Sequence, residues 1–505
     1  MILVFRARWG ALMKVRPLVL AAFGLVFFPG VREGFADKAV DPQGVSEADL
    51  QSAHVRGLGN GQRQKTWEGK LHLADAVNLA LKQNLDLLRA FREVERNQGQ
   101  VITARAQALP HLALSSNFRT TDERLIATAA RFFTQTNSWN IDLALTQNLY
   151  SGGRISAAVQ SARLTRGASF YTLRDAVDRV VWQVRQQFSQ VLVTEALVDV
   201  AQESVELATQ QLKDAQNRFS AGTVPRFTVL RAEVELASVK PQLIRSKNEH
   251  LIAQLQLAKT LALDPGVKGK PTFHCVGQLE ISDRPLDIEE SLTLGRARRP
   301  SLKALREQML ADKEGIKVAL AGFKPELNMN AGVRLQNKIG TNHLDKTMDG
   351  YFLGVTGIWR IFDSFETVGQ VAQAKARLRS DTLAYEDAVR QVELEVQRAY
   401  ADLRQFRETI ESQQKNVQQA LEALRLAQER LSAGAGTQLE VLDARVALTR
   451  ARTTELQARG DYVRSLAEFD RATATQTVYA EQFKDPLQKL EQQVLRRDYS
   501  FLFKP

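Results

Sequence analysis

The 505-residue chain has one cysteine, Cys275, so no disulfide can form within a single copy. His274 beside it does not complete a metal site, because two such residues in a loop fall short of a ligand set. The six histidines are scattered, at 54, 72, 111, 250, 274 and 343. No serine or cysteine nucleophile constellation and no phosphate loop accompanies them, so the sequence offers neither an enzyme's machinery nor a cofactor site. Long apolar runs are also missing. Residues 1–36 carry Arg6, Arg8, Lys14 and Arg16, then the apolar run Leu18 to Phe28 and the small residues of Gly34-Phe35-Ala36. This is the pattern of a secretory signal peptide cut before Asp37. Its apolar run, about eleven residues, is too short to span a bilayer as a helix. No later run reaches about 18 residues, so membrane insertion would have to use strands closed into a barrel. The formal net charge is +11. For a secreted chain nucleic acid is not the expected partner, and the excess sets weak preferences among charged solutes.

Proline and glycine nearly vanish from two stretches. From Ile155 to Phe219 and from Thr367 to Leu431 there is no proline and one glycine each, Gly167 and Gly369. Each run of about 65 residues predicts a helical rod of about 100 Å, too long to pack inside a compact domain. Val177, Val180, Val184, Phe188, Val191 and Val198 recur at three- and four-residue steps in the first run. Val389, Val392, Val396, Tyr400, Leu403 and Ile410 do so in the second. These are narrow coiled-coil seams with polar flanks.

Both rods end in the same words. Arg218-Phe219-Ser220-Ala221-Gly222, followed by Val229, Leu230, Ala232, Val234 and Leu236, recurs as Arg430-Leu431-Ser432-Ala433-Gly434, followed by Val441, Leu442, Ala444, Val446 and Leu448. Solenoid periods run roughly 20 to 50 residues, so a repeat this long is a duplicated structural unit. Each glycine suits a left-handed helix cap, and Pro225 cannot extend the helix before it. Gly222 and Gly434 therefore mark the tips of two helical hairpins. The return helices are expected from about Val229 to Leu263 and from about Leu439 to Ala474.

Each half opens with a short amphipathic helix leading to a proline, Pro110 or Pro325, after which the period becomes strict alternation. Leu112, Leu114, Ser116 and Phe118 alternate with polar or small neighbours, as do Trp139, Ile141, Leu143, Leu145 and Leu149. In the second half Leu327, Met329, Ala331, Val333 and Leu335 share a face, and Tyr351, Leu353, Val355, Trp359 and Ile361 form the partner strand. Four strands of about ten residues each match the length of a tilted membrane-crossing strand. Trp139, Tyr150, Tyr351, Trp359 and Phe362 are expected near strand ends, as an interfacial girdle. A soluble sheet with one buried face produces the same alternation.

These features divide the chain into a signal peptide (1–36), an N-terminal extension (37–70), a first repeat (71–263), a linker (264–286), a second repeat (287–474) and a C-terminal extension (475–505). Within the repeats the strand pairs are expected at 110–150 and 325–363, and the hairpins at 155–263 and 366–474. The fold class is mainly helical with membrane strands: tandem long hairpins plus four strands per chain.

The doubled tip motif, Leu149-Tyr150-Ser151-Gly152-Gly153-Arg154 at one strand-to-helix junction and Ile361-Phe362-Asp363-Ser364 at the other resemble the TolC family of outer-membrane efflux proteins. The resemblance covers about residues 71–474. It implies a homotrimer in outer-membrane lipid, with twelve strands closed into one β-barrel and the hairpins of three chains forming a periplasmic α-barrel. It also implies a periplasmic adaptor (membrane fusion) protein and an inner-membrane pump as partners, in efflux or type I secretion. By matching position, Arg218, Ser220, Gly222, Thr223, Arg430, Ser432, Gly434 and Ala435 would dock the adaptor, against the alternative of a plain turn. Glu440 and Asp443 would ring the periplasmic entrance, against the alternative that they offset a helix dipole. The first half has Thr228 and Arg231 there, and Gly436 stands where some family members place a basic latch residue. The competing reading is a secreted periplasmic coiled-coil structural or adaptor protein with a soluble sheet domain.

Overall fold

The computed structural model describes residues 66–122, 124, 136–264, 271–279, 281, 287–338 and 344–475. These lie in one compact unit, Gln64–Pro505. The expected signal peptide, most of the N-terminal extension and nearly all of the C-terminal extension fall outside the described residues.

The elements run β1 (Gly69–Leu71), α1 (Leu73–Gln83), α2 (Leu85–Ala106), β2 (His111–Thr120), β3 (Asn137–Tyr150), α3 (Arg154–Ser220) and α4 (Arg226–Thr260). The second half follows as β4 (Phe273–Cys275), α5 (Ile288–Arg298), α6 (Pro300–Leu320), β5 (Glu326–Asn337), β6 (Thr347–Ile358), α7 (Glu366–Ser432) and α8 (Gln438–Ala472). The rods α3 and α7 are each 67 residues long, and the return helices α4 and α8 are each 35. The return helices begin three residues and one residue earlier than expected, because Pro225 and Thr437 already stand at their N-caps.

Three expectations need correction. The opening stretch of each half is two helices rather than one short helix. Asn84 breaks the first pair: its backbone is extended and its side chain accepts from the Asp86 and Leu87 amides, capping α2. Arg299 breaks the second pair because Pro300 follows, and a residue before proline is driven out of the helical region. The last strand ends at Ile358, so Trp359 and Ile361 lie beyond it, while Tyr351 sits within β6 opposite Val333 instead of near an end. The linker contains a strand, β4, which pairs in parallel with β1 and so ties the two chain segments together.

The other sheet has the order β2-β3-β5-β6, antiparallel throughout, with β2 and β6 as edges. Cross-strand partners share a face. The row Leu114, Leu143, Val333, Tyr351 and the row Leu112, Leu145, Ala331, Leu353 are in register across all four strands. One face is thus continuously apolar, and it is exposed: Leu114 is 72% and Tyr351 81% accessible. The other face carries Asn117, Asn140, Asp142, Thr146, Asn330 and Arg334.

Two buried clusters hold the helices. The first joins Leu71, Val77, Leu87, Val177, Val184, Val191, Leu257 and Phe273, so β1 and β4 cover the hairpin α3–α4 with α1 and α2. The second joins Val396, Leu403, Ile410, Tyr462 and Phe469 within α7–α8. Burying each such side chain is worth about 1.5–3 kcal/mol. Toward the tips the buried positions shrink to Ala201, Ala208 and Ala215 at heptad spacing, which lets the helices approach closely. A buried ion pair, Arg185 with Asp470 at 2.8 Å, bridges α3 and α8 and so links the two repeats.

Candidate functional site

The tips are built alike. α3 closes in a Schellman turn: the Gly222 amide donates to the Phe219 carbonyl at 2.9 Å and the Thr223 amide to the Arg218 carbonyl at 2.9 Å. α7 repeats this, Gly434 to Leu431 at 3.1 Å and Ala435 to Arg430 at 2.9 Å. Both glycines have φ of +73°, the left-handed region, and a Cβ on either would meet nothing within 4 Å. The requirement for glycine is therefore conformational rather than steric.

The serines turn inward on their own helices. Ser220 Oγ donates to the Asn217 carbonyl at 2.7 Å and Ser432 Oγ to the Glu429 carbonyl at 2.8 Å. Thr223 Oγ1 donates to the Arg218 carbonyl at 2.8 Å, and Arg430 reaches the Ala435 carbonyl at 3.3 Å. All eight tip residues are exposed. Beside them the return helices bring apolar side chains to the surface. Phe227 (70% exposed), Leu230 and Val234 on α4, and Leu439 and Val446 on α8, leave apolar surface bare at both tips.

Glu440 and Asp443 sit in the first two turns of α8. Thr437 Oγ1 accepts from the Glu440 amide at 3.3 Å, the N-cap half of a capping box. The Glu440 carboxylate lies 3.8 Å from Arg430 across the tip. Asp443 is exposed, and among the described residues its carboxylate has no ion-pair or hydrogen-bond partner. Thr228 and Arg231, their counterparts, line a small groove with Gln438 and Leu442, so α4 and α8 adjoin there. Arg445 was not anticipated: burial lowers its pKa, the nearby Glu235 opposes that shift, and its Nε is buried with no hydrogen-bond partner among the described residues. At Gly436 a Cβ would come within 3.0 Å of the Arg430 Cβ and the Leu431 amide nitrogen. A side chain at that position would need a small shift of the turn, and the equivalent position of the first tip carries one, Val224.

The strand-to-helix junctions are also capped. Asp363 accepts from the Thr367 amide at 2.9 Å and from its hydroxyl, and these bonds hold the Asp363 carboxyl below its usual range. Arg154 pairs with Glu326 at 2.7 Å at the other junction.

An open sheet with an apolar outer face, carried on two hairpins about 100 Å long, defines the class: a membrane channel protein whose strands enter lipid and whose helices extend into water. The comparisons agree with the class and narrow it. The family described as "Outer membrane efflux protein" matches residues 76–263 and 292–475, and the chain belongs to that family. It is 23% identical over 407 residues to the pyoverdine export outer membrane protein OpmQ of Pseudomonas aeruginosa, covering 77% of this chain and 82% of that one. It is 23% identical over 410 residues to the cobalt-zinc-cadmium resistance protein CzcC of Cupriavidus metallidurans, covering 80% and 90%. Among solved structures the Campylobacter jejuni CmeC outer membrane channel superposes with a TM-score of 0.70 at 19% identity, covering 79% and 85%. The protein is an outer-membrane component of export systems, with a long periplasmic helical portion.

Proposed function

We propose that three copies of this chain form a passive exit duct, fed by an inner-membrane pump through a periplasmic adaptor. The observation that carries this is the open sheet. Four strands are too few to close a barrel, whose smallest membrane form has about eight. Yet β2 and β6 present unpaired edges that hydrocarbon does not tolerate. Joining β6 of one copy to β2 of the next satisfies every backbone group, and three copies yield a barrel of about twelve strands. The apolar rows then face lipid and the polar rows face the lumen.

The exposed apolar surface and the Schellman turns at the tips suit docking of an adaptor's helical hairpin, with Arg218, Thr223 and Arg430 at the rim. Asp443, repeated by threefold symmetry, suits a cation-attracting constriction at the periplasmic entrance. Glu440 favours a second role, since its first-turn position and its approach to Arg430 brace the tip itself. Cargo is not written in this chain: OpmQ is named for pyoverdine and CzcC for metal resistance, at the same identity. The reading is tested by extracting the protein in detergent and inserting it into planar bilayers. A trimer that conducts ions is the expected result, and a monomer stable without detergent would refute it.

A further inference from the structure

Among the described residues, the polar face of the sheet holds one charged pair away from the strand ends, three or more residues in from each. Ser115, Asp142, Arg334 and Gly350 stand in register across the four strands. Asp142 accepts from Arg334 Nε at 2.6 Å and from Nη2 at 3.0 Å, a two-point contact, and from Asn140 Nδ2 at 2.8 Å. The other charged groups of that face, His111, Arg119 and Glu326, lie at strand ends. Away from the strand ends, among the described residues, Asp142 and Arg334 are therefore the charges on that face that a passing ion would meet.

The surroundings hold the pair in place. Gly332 is opposite Phe352, and a Cβ there would fall 2.4 Å from the Leu143 carbonyl oxygen and 2.7 Å from the Phe352 ring. Only glycine lets that ring lie across β5. The Arg334 guanidinium sits 5.8 Å from the ring centroid, within cation–π range. On its other side Gly350 leaves open space. The Asp142 side chain is 12% exposed while that of Arg334 is 50% exposed, so the guanidinium covers the carboxylate and itself meets solvent. The pair also spans β3 and β5, the seam between the two repeats.

We propose that Asp142 and Arg334 form a charge-balanced selector on the lumenal wall of the barrel, whose two members cancel so that the wall discriminates little between anions and cations. This rests on the reading of the chain as a channel with its polar face inward. Removing one member leaves a ring of like charges at one level, three in a trimer, and fixed charges lining a pore set its preference. Asp142→Asn uncovers guanidinium and favours anions. Arg334→Gln uncovers carboxylate and favours cations.

The experiment measures reversal potentials in planar bilayers across a potassium chloride gradient, at low salt so that the Debye length approaches 30 Å. The expected result is opposite shifts for D142N and R334Q, each changing the anion-to-cation permeability ratio about twofold or more. The exchanged pair D142R with R334D should restore the wild-type ratio. A pair serving only to staple β3 to β5 would lower thermal stability in the single variants and leave reversal potentials unmoved, which would overturn the proposal. Either single variant decides the sign alone, so failure of one to assemble leaves the other to test it. A wild-type protein that does not conduct would instead refute the channel reading.

Discussion

At the scale of single residues, two glycines and four acids make distinct demands. Gly222 and Gly434 have room for a side chain but hold a left-handed backbone, so alanine at either should cost about 1–2 kcal/mol from φ alone. Thermal unfolding followed by circular dichroism measures this, and adaptor binding should weaken in parallel if the tips dock it. Asp443 and Glu440 should separate. Asp443→Ala should reduce cation selectivity with melting unchanged, whereas Glu440→Ala should lower both; unchanged reversal potentials for the first would remove Asp443 from the gate. Asp312 on α6 makes a pH prediction. Burial first, then the facing Asp381 of α7, push its carboxyl up to about 6, against the opposing pull of Arg377 and Gln308. A raised folded pKa favours the protonated state, so its stabilisation is full below the ordinary 3.8 and lost as pH rises through about 6. Melting temperature should fall across that interval, and Asp312→Asn should flatten the fall. Asp178, also raised to about 6 by burial, titrates in the same window and keeps part of the slope.

At the scale of elements, the long helices are held by seams rather than by propensity. Ile410 is 1% exposed and packs in the same cluster as Tyr462 and Phe469. Truncating Ile410 to alanine should cost about 2–5 kcal/mol, read as a lowered unfolding midpoint. The seam was legible in the sequence because a 3.6-residue period over 67 residues repeats the same signal many times. The strands were legible because alternation survives in each, and the residues that alternate are the ones that share a face. The helix breaks at Asn84 and Arg299 were not: amphipathic spacing continues across them, and only the local caps interrupt it. In the first repeat Asn84 also bonds the Thr260 carbonyl at 2.8 Å; in the second, Arg299 bonds the Arg471 carbonyl at 2.9 Å and Glu395 at 2.7 Å. The same corner is therefore tied by an amide in one half and by an ion-pair network in the other.

At the scale of the whole molecule, duplication explains most of what is shared and the seam between copies explains what is not. The rods, turns and strand pairs repeat because each is specified within about a hundred residues of chain. Hydrophobic period, proline placement and the tip motif thus announced the class of protein and the position of its tips. What only the tertiary structure decided is where distant segments meet. β1 and β4 are three residues each, too short to show any alternation, and they find each other across two hundred residues because Leu71, Phe273 and Cys275 are buried in one core. β3 lies beside β5, which sets Asp142 against Arg334, and α6 lies against α7, which sets Asp312 near Asp381. Such pairings depend on which faces remain unsatisfied once the local elements have formed, and no local pattern in the chain records that.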